Sequence, residues 1–177
     1  MKKPTNLSGK AIVIKDTQGK GIDDIDTDMI FHNKHLHITD INEMGQHTFG
    51  NLPGWEEFPS IVTANTILIV GKNFGAGSSR QQAVDCFKAL GVIVIIGESF
   101  GAIYKRNAIN SGIPLILAPD IMTTTLNSGD QMTIDLTTGE ITSEKEDVQS
   151  KQVTPLSKVQ LDIYNAGNLF EYGKSLE

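Results

Sequence analysis

Sulfur, aromatic rings and long apolar runs are all scarce in this sequence. Its 177 residues hold a single cysteine, one tryptophan, three tyrosines and seven phenylalanines. One cysteine, Cys86, excludes an internal disulfide and points to a reducing compartment, so a cytoplasmic location is expected. No apolar run approaches the ~20 residues that cross a bilayer, so no membrane partner is expected. The start, Met1-Lys2-Lys3-Pro4-Thr5-Asn6, is basic without an apolar stretch behind it, which does not fit a signal peptide. The net charge is -6 and the basic residues are scattered. A nucleic-acid surface needs them massed into a patch, so none is expected. A small anion needs only a local cationic pocket, and that class stays open.

What is present suits an ordinary globular chain, with 39 % apolar and 20 % charged residues. This length accommodates one domain with a real core, so 1–177 reads as one domain. Ala11-Ile12-Val13-Ile14 reads as a strand running into the acidic loop Asp23–Asp28. Ile41 to Phe49 has weak helical character, and Gly50 to Pro59 reads as loop. Ile67-Leu68-Ile69-Val70 is continuous and branched, as in a strand covered on both faces. Ser79 to Leu90 reads as a helix, with Ala83, Phe87 and Leu90 on one stripe and Gly91 as its left-handed cap. Val92 to Ile96 is a second strand, Phe100 to Asn110 a second helix, and Leu115-Ile116-Leu117 a third strand. Strand, helix, strand, helix, strand with short connections predicts parallel strands in an α/β unit. Gln131 to Leu136 and Glu140-Ile141-Thr142 predict a hairpin about Thr137-Thr138-Gly139. Thr154 and Pro155 predict the start of a last helix, with Leu156, Val159 and Ile163 as its stripe. The prediction is an α/β unit with flanking helices and an additional β-portion from the N-terminal segment and the hairpin.

The chemistry concentrates in Gly71-Lys72-Asn73-Phe74-Gly75-Ala76-Gly77-Ser78-Ser79-Arg80. This stretch lies between a buried strand and a helix N-terminus, at the carboxyl end of a parallel strand, where ligands collect in open α/β sheets. Glycines allow close backbone approach, and the first helical turn offers free N–H groups to an anion. Arg80 adds a planar fork for a carboxylate or phosphate. The spacing matches neither G-x-G-x-x-G nor a Walker loop, and no acidic residue ends the second strand to hold a ribose, which disfavours a nucleotide. A di- or tricarboxylate fits better. Ser78 or Ser79 also suits a helix N-cap, with Gln81 or Gln82 completing a capping box. One serine can cap while the other faces a ligand.

The motif G-x-N-F-G-x-G-S-S-R, followed by Ala83, resembles the active-site loop of the swivelling domain of the aconitase and isopropylmalate isomerase family. The stretch from Glu98 to Leu115 is similar to the second signature of that family, and Asp26-Thr27-Asp28 resembles its D-x-x-T-D element. The resemblance extends from about Asp24 to Asn165-Ala166-Gly167. It implies a swivelling β/β/α fold: parallel strands with flanking helices plus a β-barrel-like portion. It also implies a hydro-lyase that interconverts 2-hydroxy and 3-hydroxy acids through an enoate, with a [4Fe-4S] cluster binding the departing hydroxyl. Cluster ligation takes several thiolates and this chain has only Cys86, so the cluster is expected on a large partner subunit.

By the same resemblance Ser78 is the base, and Ser79 and Arg80 hold a substrate carboxylate. The substrate-choosing loop falls on Lys34-His35-Leu36-His37-Ile38, which makes Lys34, His35 and His37 substrate-binding. The implied substrate is 3-isopropylmalate, in leucine biosynthesis, with homocitrate, citramalate or dimethylmalate as alternatives. His35 and His37 at i, i+2 would share one face of a strand, yet no third ligand accompanies them, so no metal site is assigned. His32 and His47 have no discernible partner. Gln81-Gln82 stands where the family usually has Glu-His, and Gly101 where Arg is common. That departure keeps open a non-catalytic carboxylate-binding domain.

Overall fold

Residues 2–177 are described by the computed structural model. Seven strands form one mixed sheet: β1 (Asn6–Val13), β2 (Thr66–Val70), β3 (Val92–Gly97), β4 (Leu115–Leu117), β5 (Gln131–Asp135), β6 (Glu140–Ser143) and β7 (Lys151–Gln152). Their order is β4-β3-β2-β1-β5-β6-β7. The first four strands are parallel neighbours, and β5, β6 and β7 continue the sheet antiparallel from the other edge of β1. The expected parallel unit and the expected β-portion are therefore two halves of one sheet that share β1. The N-terminal strand is longer than Ala11–Ile14 because Asn6 to Lys10 pair with Gln131 to Asp135.

Alternation along the strands sends side chains to two cores. Ile12, Leu68, Val70 and Ile95 join the core on one face; Ala11, Val13, Ile67, Ile69, Val94 and Ile96 join the core on the other. The first face is covered by α1 (Thr27–Ile30), α2 (Ile41–Met44), α3 (Phe58–Ile61), α4 (Gln82–Ala89) and α5 (Ala102–Asn110). Its centre is a group of edge-packed rings, Phe49 against Phe58, Phe74 and Phe87, and Phe74 against Tyr104. The second face packs on the hairpin and on α6 (Lys158–Ala166), and α7 (Leu169–Lys174) follows.

Several local readings change. The weak helix at Ile41–Phe49 is α2 followed by a 3-10 turn, Gly45–His47. The loop at Gly50–Pro59 closes into α3, whose first turn accepts Pro59. The helix expected from Thr154 is α6, and it begins at Lys158 because Val153 and Leu156 donate their N–H groups to Gly139 and Leu136 and stay extended on the hairpin. Its cap is Ser157, in a capping box with Gln160. Val159, placed on the apolar stripe from sequence, is 54 % exposed, and Tyr164 is the buried partner of Ile163 instead. Gly91 does close α4 in the left-handed region, at φ +80°. Among the described residues, no helix is long and apolar enough to cross a membrane.

Candidate functional site

Three segments singled out from sequence lie side by side at the carboxyl end of β2. The loop Gly71–Gly77 runs between Asp24–Thr27 on one side and Ser99–Gly101 on the other. Asp24 donates its N–H to Lys72, Gly75 to Ile25, and Thr27 to Ala76, over 2.7–2.9 Å. On the opposite flank Phe74 donates to Ser99 and Gly101 to Phe74. Acidic side chains reinforce this, since Asp23 accepts from the Lys72 N–H and Asp24 from the Asn73 amide, each at 2.8 Å.

Glycine is required at the tightest points of this junction. Gly75 has φ +77°, and a Cβ there would sit 2.1 Å from Cγ of buried Tyr104. A Cβ on Gly101 would lie 2.8 Å from the Gly75 carbonyl oxygen, so an arginine at 101 needs a different loop path.

Beyond the clamped part, the chain opens. Ser78 and Ser79 are exposed, and α4 begins only at Gln82. This corrects the helix start at Ser79. The N-cap residue is Gln81, without a side-chain cap bond, so neither serine caps the helix and no capping box forms. Ser79 is drawn away from a cap by its carbonyl, which accepts from the Asn107 amide at 3.1 Å. None of the N–H groups of Gly77, Ser78 and Ser79 donates to an acceptor among the described residues. These three donors, followed by the positive end of α4, favour an anion. The Ser78 hydroxyl lies 3.2 Å from that of Thr27, itself buried.

Arg80 is held by its Nη1, which donates to Asp28 Oδ1 and to the Phe31 carbonyl, both at 2.8 Å. Asp28 is held in turn by the Asn33 N–H and the Asn51 amide. The bond from Arg80, and then the one from Asn33, keep the Asp28 carboxyl below its ordinary range despite partial burial. The Arg80 fork retains Nε and Nη2, the side-on pair that suits bidentate carboxylate binding.

The residues Lys34, His35 and His37 lie in and just after a 3-10 turn, Asn33–His35, and not on a strand. The shared strand face expected for His35 and His37 is therefore absent: the His37 ring turns back to the Lys34 carbonyl at 3.1 Å. His35 stacks instead on His47, with centroids 3.8 Å apart, which corrects the reading of His47 as partnerless. His32 is also engaged, accepting from the Lys34 N–H through Nδ1. Among the described residues, no group of three or more His, Cys, Asp or Glu side chains is placed to hold a metal.

Gln81 and Gln82 have defined structural partners. The Gln81 amide donates to Asp85 and to the Ser111 hydroxyl, and the Gln82 amide reaches the Leu36 carbonyl at 3.3 Å. Gln82 therefore ties α4 to the turn that carries Lys34 and His35. Thr27, Asn51, Gln82 and His47 are contributions that sequence reasoning does not assign. Thr27 had a signal through its motif and Gln82 through its place where the family usually has His; Asn51 and His47 had none, because only the fold brings them to Asp28 and His35. Cys86 is buried in α4, and burial pushes its thiol up to about 12, so it is no thiolate ligand. This chain's residues do not fit a [4Fe-4S] cluster.

The model of the aconitase C-terminal domain matches residues 57–119. The 3-isopropylmalate dehydratase small subunit of Metallosphaera sedula is 40 % identical over 154 residues, covering 87 % of this chain and 92 % of the relative. That of Pyrobaculum calidifontis is 38 % identical over 171 residues, covering 96 % and 98 %. Among solved structures, a 3-isopropylmalate dehydratase from Methanocaldococcus jannaschii superposes with a TM-score of 0.83 at 33 % identity, over 97 % of this chain and 95 % of that one.

Proposed function

The chain belongs to the family of 3-isopropylmalate dehydratase small subunits, and on that premise we propose that it is the small subunit of a two-subunit hydro-lyase. The reaction is the isomerisation of 2- and 3-isopropylmalate by loss and return of water, in leucine biosynthesis. The whole chain, 1–177, is one swivelling unit that closes over a large, cluster-bearing subunit. The lone unpaired cysteine accords with the cytoplasm.

The observation that carries this reading is the open turn Gly77–Arg80. It offers an exposed hydroxyl, three uncommitted N–H groups and a pre-oriented guanidinium at the end of a clamped loop. Ser78 takes the proton from the carbon next to a carboxylate. The electron pair of that C–H bond forms the double bond as hydroxide leaves the neighbouring carbon. Water then adds in the opposite sense, hydroxide to the carbon that lost the proton and the proton to its neighbour, which gives the isomer. A serine is far too weak an acid to act alone, so its alkoxide needs the donors of the turn around it. Ser79 and Arg80 hold a substrate carboxylate, and Lys34, His35 and His37 face the substrate side chain. The partner's cluster supplies Lewis-acid chemistry at the departing hydroxyl.

The test is anaerobic co-expression with the large subunit, followed by ultraviolet detection of the enoate from 3-isopropylmalate, homocitrate, citramalate and dimethylmalate. Turnover of 3-isopropylmalate is expected. The Ser78→Ala variant is expected to assemble normally and lose at least about a hundredfold in kcat. Near-parental kcat in that variant would move the base elsewhere. Assembly without turnover of any of the four acids would sink the enzymatic reading.

A further inference from the structure

The stack of His35 on His47 has no part in the chemistry assigned to Ser78 and Arg80, and no sequence motif announces it. The ring planes lie within 21° of each other, and Phe31 presents its ring to both at 6.0 and 6.2 Å. Three rings from three separate segments thus close one cluster: the end of α1, the turn Asn33–His35 and the turn Gly45–His47. The first turn has few other ties to the rest of the protein. Its own bonds, His35 to His32, Leu36 to Asn33 and Ile38 to His35, are local. What fixes it to its surroundings is the Asn33 N–H on Asp28, the Gln82 amide on Leu36, burial of Ile38, and His35 on His47.

The charges around the pair favour neutral rings. Burial, then His47, Lys34, His32 and His37, all press the His35 pKa below its ordinary value. Burial, then Lys34 and His37, do the same to His47, opposed only by Glu43 from α2. Two neutral imidazoles stack favourably, whereas two imidazoliums at this separation repel.

We propose that His47 is a positioning residue for substrate selection: stacked on His35, it fixes the conformation of the Lys34–His37 segment, and the segment loosens when the pair takes up protons. The proposal rests on the reading that this segment faces the substrate. Because both pKa values lie below the ordinary ~6.5, the ordered arrangement is complete above about pH 6.5 and fades as pH falls below it. KM for 3-isopropylmalate then rises on acidification, while kcat does not follow this pair.

Two variants of the assembled enzyme and one measurement on the full chain alone test this. His47→Ala is expected to raise KM about fivefold near pH 8, the equivalent of one lost aromatic pair, with kcat within about twofold. His47→Phe keeps a ring but cannot be protonated. It is expected to bring KM back to near the parental value at pH 8 and to flatten the rise on acidification. Histidine ring resonances in the full chain report the stack directly, and His35 is expected to titrate at higher pH in His47→Phe than in the parent. An unchanged His35 titration would overturn the proposal at the stack itself. A shifted titration with parental KM profiles in both variants would overturn it at the substrate-facing segment, leaving the Ser78 chemistry intact.

Discussion

Arg80 is useful to a carboxylate only if its fork is already oriented, and Asp28 is the residue that orients it. Asp28→Ala removes one of two Nη1 acceptors, leaving the Phe31 carbonyl. The Arg80 side chain is 13 % exposed and that of Asp28 39 %, so solvent screens the pair and its stability contribution is only about 1 kcal/mol. The larger effect is on binding. A long cationic side chain loses up to ~2 kcal/mol of rotamer freedom when fixed, and with one anchor retained about half of that returns to the variant. With about 1 kcal/mol at stake, KM is therefore expected to rise about fivefold, with a smaller change in kcat. Asp28→Asn keeps an oxygen for Arg80 but no charge, and falls between parent and alanine. The Asp28 carboxyl titrates below its ordinary value. Its stabilisation is therefore fully present above the unfolded value of about 3.9 and is lost as pH falls through the folded one. The gap in thermal stability between parent and Asp28→Asn is accordingly largest near neutrality and closes on acidification. The assay is steady-state turnover of 3-isopropylmalate by the assembled enzyme, with assembly checked by size-exclusion chromatography. An Asp28→Ala enzyme that assembles and keeps KM within twofold would refute the orienting role.

Gly75→Ala forces a left-handed alanine whose Cβ overlaps Tyr104, which adds a conformational cost of about 1–2 kcal/mol to overpacking of similar size. The melting temperature is expected to fall by about 6–12 °C by circular dichroism, and a fall under about 2 °C would mean that the loop yields freely. Cys86 is buried with its thiol raised to about 12, so the native chain is expected to resist a thiol-disulfide reagent at pH 8 and to react fully in denaturant. Rapid labelling of the native chain would contradict its place in the core.

The parallel half of the fold is readable in the sequence because its signals are local. Ile67 to Val70 and Val92 to Ile96 are unbroken branched runs, and the helix cap at Gly91 and the hairpin turn at Gly139 both take the left-handed backbone. Helix starts are less readable because a cap competes with tertiary pairing. Ser79 and Thr154 both look like caps in sequence. Ser79 gives its carbonyl to Asn107, and Val153 and Leu156, on either side of Thr154, are pinned to the hairpin through Gly139 and Leu136. Each helix then begins where the backbone first becomes free, at Gln82 and Lys158. The sharing of β1 between the two halves of the sheet had no local signal either, since it depends on Asn6 to Lys10 meeting a hairpin more than a hundred residues later.

The candidate site divides along the same line. Its donors are visible as a string of residue types, Ser78-Ser79-Arg80 after a glycine-rich loop, because anion binding needs those groups close together in the chain. Which of them remain available is decided elsewhere. Asp28, 52 positions before Arg80, engages Nη1, and the same carboxylate takes the Asn33 N–H that starts the Lys34–His35 turn. One acidic side chain thus orients the guanidinium and anchors the turn, and Gln82 joins that turn to the first residue of α4. The groups proposed to read the carboxylate and the side chain of the substrate are therefore mechanically joined. A substitution at Asp28 should disturb both, whereas one at His47 should disturb the turn alone, and comparing the two separates the selection of substrate from the grip on its carboxylate.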